Sequence, residues 1–310
     1  MSEQEEILTL LKDKEICKRE LSDLVFGTIE LRERENKKYI YVHFREDGLS
    51  LTKYVGEYTD ELYNLILNNN KTARELKHRL RQVEKQLKKL NYIEKDLSEK
   101  VAMNIDFARR HMVDTIYNQA VLEGVATTYL DTETIIEGGK VSNMTPNDIL
   151  KVVNLKHAWE FILNKNVIQS PTNFSLLCDI NKLLEEGFYY NAGQIRSVPV
   201  SIGGTTWKPE LPIESVVKEE LEKILSANIE VIDKAIELLL YVTKKQIFID
   251  GNKRTSVIFA NHFIISHGLG LLVIPENRVQ EYKKLLIAYY EGKDTEEIKR
   301  FLKEKCYIKI

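Results

Sequence analysis

The sequence predicts a mainly α-helical protein with a small antiparallel sheet near its N-terminus. Apolar residues recur at helical spacing over most of the chain, only six prolines interrupt it, and β-branched and aromatic residues concentrate in three runs between residues 26 and 55. With 310 residues, 43% of them hydrophobic, the chain can bury one large core or two modest ones.

Glu5 to Arg19 reads as a short charged helix, and Ser22-Asp23 leads into a change of period. Phe26 to Leu31, Tyr39 to Phe44 and Leu51 to Val55 are strand candidates, separated by the polar runs Arg34-Glu35-Asn36-Lys37 and Arg45-Glu46-Asp47-Gly48. Residues 1–57 are therefore expected to form a small N-terminal region with antiparallel strands. From Thr59 the helical period returns. Leu76, Leu80, Val83, Leu87 and Leu90 follow steps of four and three, the seam of a coiled coil or helical hairpin, which makes residues 58–100 a long basic helix or hairpin. Its other face carries Lys71, Arg74, Lys77, Arg79, Arg81, Lys85, Lys88 and Lys89. A solvated face on a packing helix accounts for this run; nucleic acid bound along residues 71–89 is the alternative, weakened because no aromatics interleave with the cations.

Residues 101–310 read as successive helical segments with one interruption. Between Gly193 and Pro209 apolar residues alternate around Gly203-Gly204, which predicts a short hairpin inside a helical domain. Leu221 to Phe248 reads as one long helix or two, Thr255 to His267 as a helix stopped by Gly268, and Leu271 to Ile274 as a short extended segment before Pro275.

Forty-five lysines and arginines against 47 aspartates and glutamates leave a net charge of -2, so no global field draws the molecule to nucleic acid or membrane. Cys17, Cys178 and Cys306 have no paired spacing, which fits a reducing compartment better than a disulfide framework or zinc site. The first residues, Met-Ser-Glu-Gln-Glu-Glu, lack a secretory pattern, and the expected location is cytoplasmic. Val257 to Ile274, the longest apolar stretch, is broken by Asn261, His262, His267 and two glycines, so a buried helix and strand are expected rather than a membrane span.

The chemistry concentrates at Asp250-Gly251-Asn252-Lys253-Arg254, just ahead of an apolar helix. Orphan N–H groups at a helix start, together with the macrodipole, favour an anion there. Gly251 permits positive φ and Asn252 tolerates it, so the amides of Gly251, Asn252 and Lys253 can converge on phosphate. Asp250 is a hard ligand suited to Mg²⁺, Arg254 offers a planar fork and Lys253 a mobile charge. A helix cap with a surface charge cluster is the bland alternative; it explains Asp250 but not the residues after it.

This segment resembles the Fic/Doc signature His-x-Phe-x-(Asp/Glu)-(Gly/Ala)-Asn-(Gly/Lys)-Arg-x-x-(Arg), matched by Phe248, Asp250, Gly251, Asn252 and Arg254. Gln119 to Gly124 is similar to the family's inhibitory helix, with Glu123 as its glutamate, and Gly193 to Arg196 and Ile202 to Gly204 fall where Fic proteins carry comparable residues. The resemblance implies a Fic-type helical domain with a short β-hairpin flap, preceded by a small α+β region with a long helix. It further implies ATP or another nucleotide with Mg²⁺, and transfer of AMP or a phosphoryl group to a Ser, Thr or Tyr hydroxyl of a target protein. That target would dock along the flap, at Ile202, Thr205 and Trp207.

Three positions depart from the pattern. Gln246 stands where the family has its catalytic histidine, and an amide is no general base; losing one costs about 10²- to 10⁴-fold. Val257 replaces the second motif arginine, and Gln119 the hydroxyl residue that opens the inhibitory motif. The expectation is a Fic protein with weakened or unusual catalysis, Gln246 orienting the attacking group; the alternative is a pseudoenzyme that senses a nucleotide or binds a partner. Glu123 could equally end a helix, Trp207 could pin the flap to the core, and His262 and His267 fit packing or surface roles. Self-association is left open.

Overall fold

A computed structural model describes residues 3–34, 37–46, 49–90, 92, 97–293 and 295–310. The chain divides into two compact units, Met1–Lys95 and Asp96–Ile310.

In the first unit, α1 (Glu3–Asp23) is followed by strands β1 (Thr28–Arg34), β2 (Lys37–Glu46) and β3 (Leu49–Glu57), and then by α2 (Asp60–Lys89). The strands form one antiparallel sheet in chain order, with Ile29 opposite Val42 and a bulge between Ile40 and Tyr41. The expected turn residues Glu35, Asn36, Asp47 and Gly48 lie outside the described residues. Ile40 and Val42 pack on Ile66 of α2, while Tyr41 and Tyr54 meet on the other face, rings 5.4 Å apart. Thr59 caps α2 by accepting the N–H of Leu62. The seam expected from the leucine spacing is real in part: Leu76, Val83 and Leu87 are buried, Leu80 and Leu90 half-buried, and Leu10 and Leu11 of α1 cover its C-terminal half. Sheet and long helix thus belong to one unit. Of the basic face only Arg79 has an ion pair among the described residues, 3.0 Å from Asp13.

The second unit is helical. Its elements are α3 (Glu99–Arg110), α4 (Met112–Leu122), α5 (Tyr129–Ile136), α6 (Pro146–Ile162), α7 (Lys165–Ile168), α8 (Phe174–Leu184), α9 (Glu214–Ser226), α10 (Val231–Lys245), α11 (Asn252–Ser266), β4 (Leu271–Leu272), α12 (Val279–Tyr290), α13 (Thr295–Phe301) and β5 (Tyr307–Ile308). Leu221 to Phe248 is thus divided, residues 227–230 separating α9 from α10. α11 is the central rod: every residue from Arg254 to Ile265 is buried, with α3, α6, α8 and α10 around it. A helix enclosed on all sides must be apolar all round or pair its polar groups. Asn261 does the latter, donating to the carbonyls of Val257 and Leu272 and accepting the N–H of Leu272, which fixes β4 beside the rod. β4 pairs antiparallel with β5, Leu271 opposite Ile308.

The predicted hairpin is not a hairpin. Residues 193–213 contain the turn at Gly203-Gly204, but no strand pairing flanks it. Pro199, Pro209 and Pro212 have no N–H to give a ladder. Buried Arg196 takes the carbonyls of Val198 (2.8 Å) and Glu210 (2.6 Å), so its guanidinium ties the two arms together where cross-strand bonds would otherwise run. Among the described residues no helix is long and apolar enough to cross a membrane.

Candidate functional site

The candidate site is the loop between α10 and α11. α10 ends at Gln246, which has left-handed backbone (φ 50, ψ 61) and is the one non-glycine with positive φ among the described residues. Its amide is fully engaged: Nε2 donates to the carbonyl of Thr243 at 2.7 Å, and Oε1 accepts from Nδ2 of Asn252 at 3.1 Å. Its backbone carbonyl accepts from Nε of Arg196 at 2.5 Å. Asn252 also exchanges two bonds with the backbone of Phe248, at 2.8 and 2.9 Å, so its side chain closes the loop, with only its backbone left for a ligand. Asn181 on α8 holds the same loop, donating to the Asp250 carbonyl and to Oγ1 of Thr255, while accepting the N–H of Gly193.

Gly251 is the N-cap of α11, with φ 73. Its N–H is already bonded to Oδ1 of Asp250 at 2.6 Å. The N–H groups of Asn252, Lys253 and Arg254 precede the first helical bond, from Thr255 N–H to the Gly251 carbonyl at 2.8 Å, and are the remaining orphans of this terminus. A Cβ at residue 251 would lie 2.1 Å from Oε1 of Glu185, so both backbone and space demand glycine. Asp250 is exposed, its Oδ2 3.4 Å from the hydroxyl of Tyr189.

The two cations of the loop face carboxylates. Arg254 is 3% exposed, with Nη2 2.8 Å from Oε1 of Glu185 and Nε 3.7 Å from Oε2 of Glu123. Lys253 Nζ lies 3.4 Å from Oε1 of Glu123. None of these contacts has hydrogen-bond alignment at the Arg254 Nε or Nη1 or at Oε1 of either glutamate: all four atoms are buried without a hydrogen-bond partner. Burial pushes the Glu185 carboxyl up to about 7; Arg254 opposes that shift, and Asp250 and Glu123 add to it.

Glu123 ends α4, with Gly124 left-handed (φ 76) and its N–H on the Val121 carbonyl, while the Glu123 side chain reaches the motif cations. Gln119 bridges helices, donating to the Arg254 carbonyl and accepting from the indole N–H of Trp159. Val257 is core, beside a void of about 10 Å³ lined also by Thr115, Leu122 and Val273. Of the remaining candidates, His262 is buried and bonded at both nitrogens, 2.9 Å from the Thr172 hydroxyl and 2.9 Å from the Val167 carbonyl, whereas His267 is exposed.

The flap residues spend their side chains on α12. Trp207 stacks on Tyr290 at 5.6 Å with planes 9° apart, Thr205 donates to Glu291 at 3.1 Å, and Ile202 packs partly on the core. Pinning the flap, the alternative weighed for Trp207, is what its ring does. Lys244 and Lys245 are likewise structural, the first donating to the Tyr289 carbonyl and the second 2.6 Å from Glu220.

Asn181, Glu185 and Tyr189 were not singled out from the sequence. A signal existed for two of them: Leu177, Asn181, Leu184 and Glu185 share one buried face of α8 and its cap, so two polar residues stand where an apolar stripe is expected.

Residues 171–264 match the model of the Fic/DOC family. No curated protein matches the chain. Among solved structures, a Fic domain containing signaling protein from Bacteroides thetaiotaomicron is similar with TM-score 0.52 and 20% identity, over 62% of this chain and 75% of that one. Fic-1 from C. elegans is similar with TM-score 0.53 and 17% identity, over 79% and 77% respectively. A Fic family protein from Desulfovibrio desulfuricans follows with TM-score 0.52 and 15% identity, over 68% and 73%. These likenesses are of fold.

Proposed function

With a Fic/DOC family domain in residues 171–264 as the premise, we propose that this protein binds a nucleotide at Asp250 to Arg254 and transfers AMP or a phosphoryl group to a protein hydroxyl, by positioning rather than base catalysis. The observation that carries the reading is the guanidinium of Arg254. It is buried beside a helix N-terminus with Nε and Nη1 lacking hydrogen bonds, an arrangement that an oxyanion would complete.

A divalent cation fits this site in one mode only. Among the described residues no three His, Cys, Asp or Glu groups are arranged so that they could hold a metal ion, so a protein cage is not formed. The exposed carboxylate of Asp250 suits Mg²⁺, which keeps most of its waters and shares phosphate oxygens. Such an ion supplies neutralisation of phosphate charge. The chain's own contribution is different: Arg254 and the N–H groups of Asn252 and Lys253 orient the phosphates, and the pinned flap is a fixed edge for a target segment. Phosphoryl chemistry draws much of its acceleration from positioning and electrostatics, which leaves room for slow transfer without histidine.

The engaged amide of Gln246 favours a second reading, a nucleotide-sensing pseudoenzyme, because both ends of that side chain already serve the loop. ATP labelled at the α or the γ phosphate, incubated with purified protein and lysate, separates the two. Label from α means AMP transfer, label from γ means phosphoryl transfer, and neither leaves the sensor. Gln246→His is expected to raise AMP transfer by about 10²-fold or more. No gain, with nucleotide bound, would mean that the base is not what the pocket lacks.

A further inference from the structure

Glu185 stands between the two groups that a phosphate would use. Its residue is 1% exposed, its Oε1 lies 2.8 Å from Arg254 Nη2, and the same oxygen is what a Cβ on Gly251 would strike at 2.1 Å. A residue serving only as counter-ion to Arg254 would be expected to satisfy it, since paired charges are stable in low dielectric when their remaining hydrogen bonds are made. Here they are not made: Arg254 keeps Nε and Nη1 unpartnered, and Oε1 of Glu185 is off alignment. Glu123 brings another carboxylate to Lys253 and Arg254, and Asp250 a third next to Gly251. With Lys151 also acting on Glu185, three cations stand against three carboxylates, and the cluster has open donors but no surplus positive charge.

Donors without surplus charge produce an unusual preference. Each phosphate oxygen gains hydrogen bonds from Arg254, yet each unit of ligand charge is repelled by a fixed carboxylate a few ångströms away. In a buried site such repulsion is only weakly screened. We propose that Glu185 is a specificity-determining residue of the anion site, whose carboxylate beside Arg254 and Gly251, in its ionised form, weakens binding in proportion to the negative charge of the phosphate chain. The inference rests on the nucleotide reading above and adds to it a rule for which nucleotide form is accepted: a short phosphate chain, or a longer one whose charge a cation has compensated.

Isothermal titration of the full chain with AMP, ADP and ATP, each with and without Mg²⁺, at a pH well above 7 where the Glu185 carboxyl is ionised, tests this. Metal-free native protein should bind ATP no more tightly than AMP. Glu185→Gln should bind metal-free ATP about tenfold tighter than native protein does, the order expected for removing one like charge, with a smaller gain for AMP and a smaller gain when Mg²⁺ is present. Glu185→Asp, which keeps the charge, should keep the native ranking. A melt of each variant without ligand reports whether it is folded. A uniform change across the three nucleotides, or weaker ATP binding by folded Glu185→Gln, would overturn the proposal. So would native protein that prefers metal-free ATP strongly over AMP, a result needing no variant. Absence of binding by every nucleotide to native and variant protein would instead remove the nucleotide reading on which it stands.

Discussion

Gln246 occupies a backbone conformation that costs an ordinary L-residue about 1 kcal/mol, and it holds that conformation because its side chain caps the helix it ends. A glutamine at this position therefore does two things at once. It puts an amide where the Fic/Doc resemblance leads one to expect a histidine, and it closes the loop by bonding Asn252. Only the first was readable from residue type; the second depends on where the amide points. His262 shows the same division. The carbonyl of Val167 can only accept, so Nε2 of His262 carries the proton and Nδ1 accepts from the Thr172 hydroxyl. Burial holds this ring down to about 4, against 6.5 for a free histidine. The unfolded chain takes up a proton as pH falls past 6.5 while the folded ring does not, so stability is lost from about pH 6.5 down to about 4. His262→Gln cannot titrate, and calorimetry should find the melting-temperature gap between native and variant narrowing over that window. A gap independent of pH would mean that the ring is not held neutral.

The flap depends on a single side chain more than on its own strand character. Arg196 donates to the carbonyls of Gln246, Val198 and Glu210, linking both arms to the end of α10. Arg196→Ala would remove the charged hydrogen bonds that hold both arms, each worth about 1.5–3 kcal/mol. Limited proteolysis should then cut within residues 197–213, where native protein resists; equal resistance would show that the Trp207–Tyr290 stack alone secures the flap. Arg196→Lys should not rescue it, because an ammonium lacks the fork that reaches both arms. The alternation of residues 193–209 pointed to a hairpin because alternation is a property of extended chain, paired or not. Pairing requires free N–H and C=O groups, and here prolines remove the former while a guanidinium takes the latter.

Among the described residues each unit has its own apolar packing, two small clusters in the first and one large cluster in the second. The second unit contains Trp159, Phe248, Phe259 and Tyr282 in one continuous cluster around α11, with no residue of the first unit in it. A fragment of residues 97–310 is expected to fold alone and to melt in one cooperative step, checked by circular dichroism and heat-capacity scans. A fragment without a cooperative transition would mean that the first unit is needed for the fold of the second.

Much of this was present in the one-dimensional pattern. The helical periods, the three strands and the loop between α10 and α11, with the residues proposed to bind an anion, follow from local chemistry: spacing, permissive backbone and charge at a helix start. What local chemistry could not decide is which charged groups from distant positions meet that loop. Glu185 is 69 residues before Arg254 in the sequence and beside it in space, and Glu123 arrives from still farther. The sequence by itself determined a glycine-turned loop with two cations at a helix start and an amide, Gln246, just ahead of it. Tertiary structure decided that its cations are already faced by buried carboxylates, because Coulomb interactions depend on distance through the fold and not along the chain.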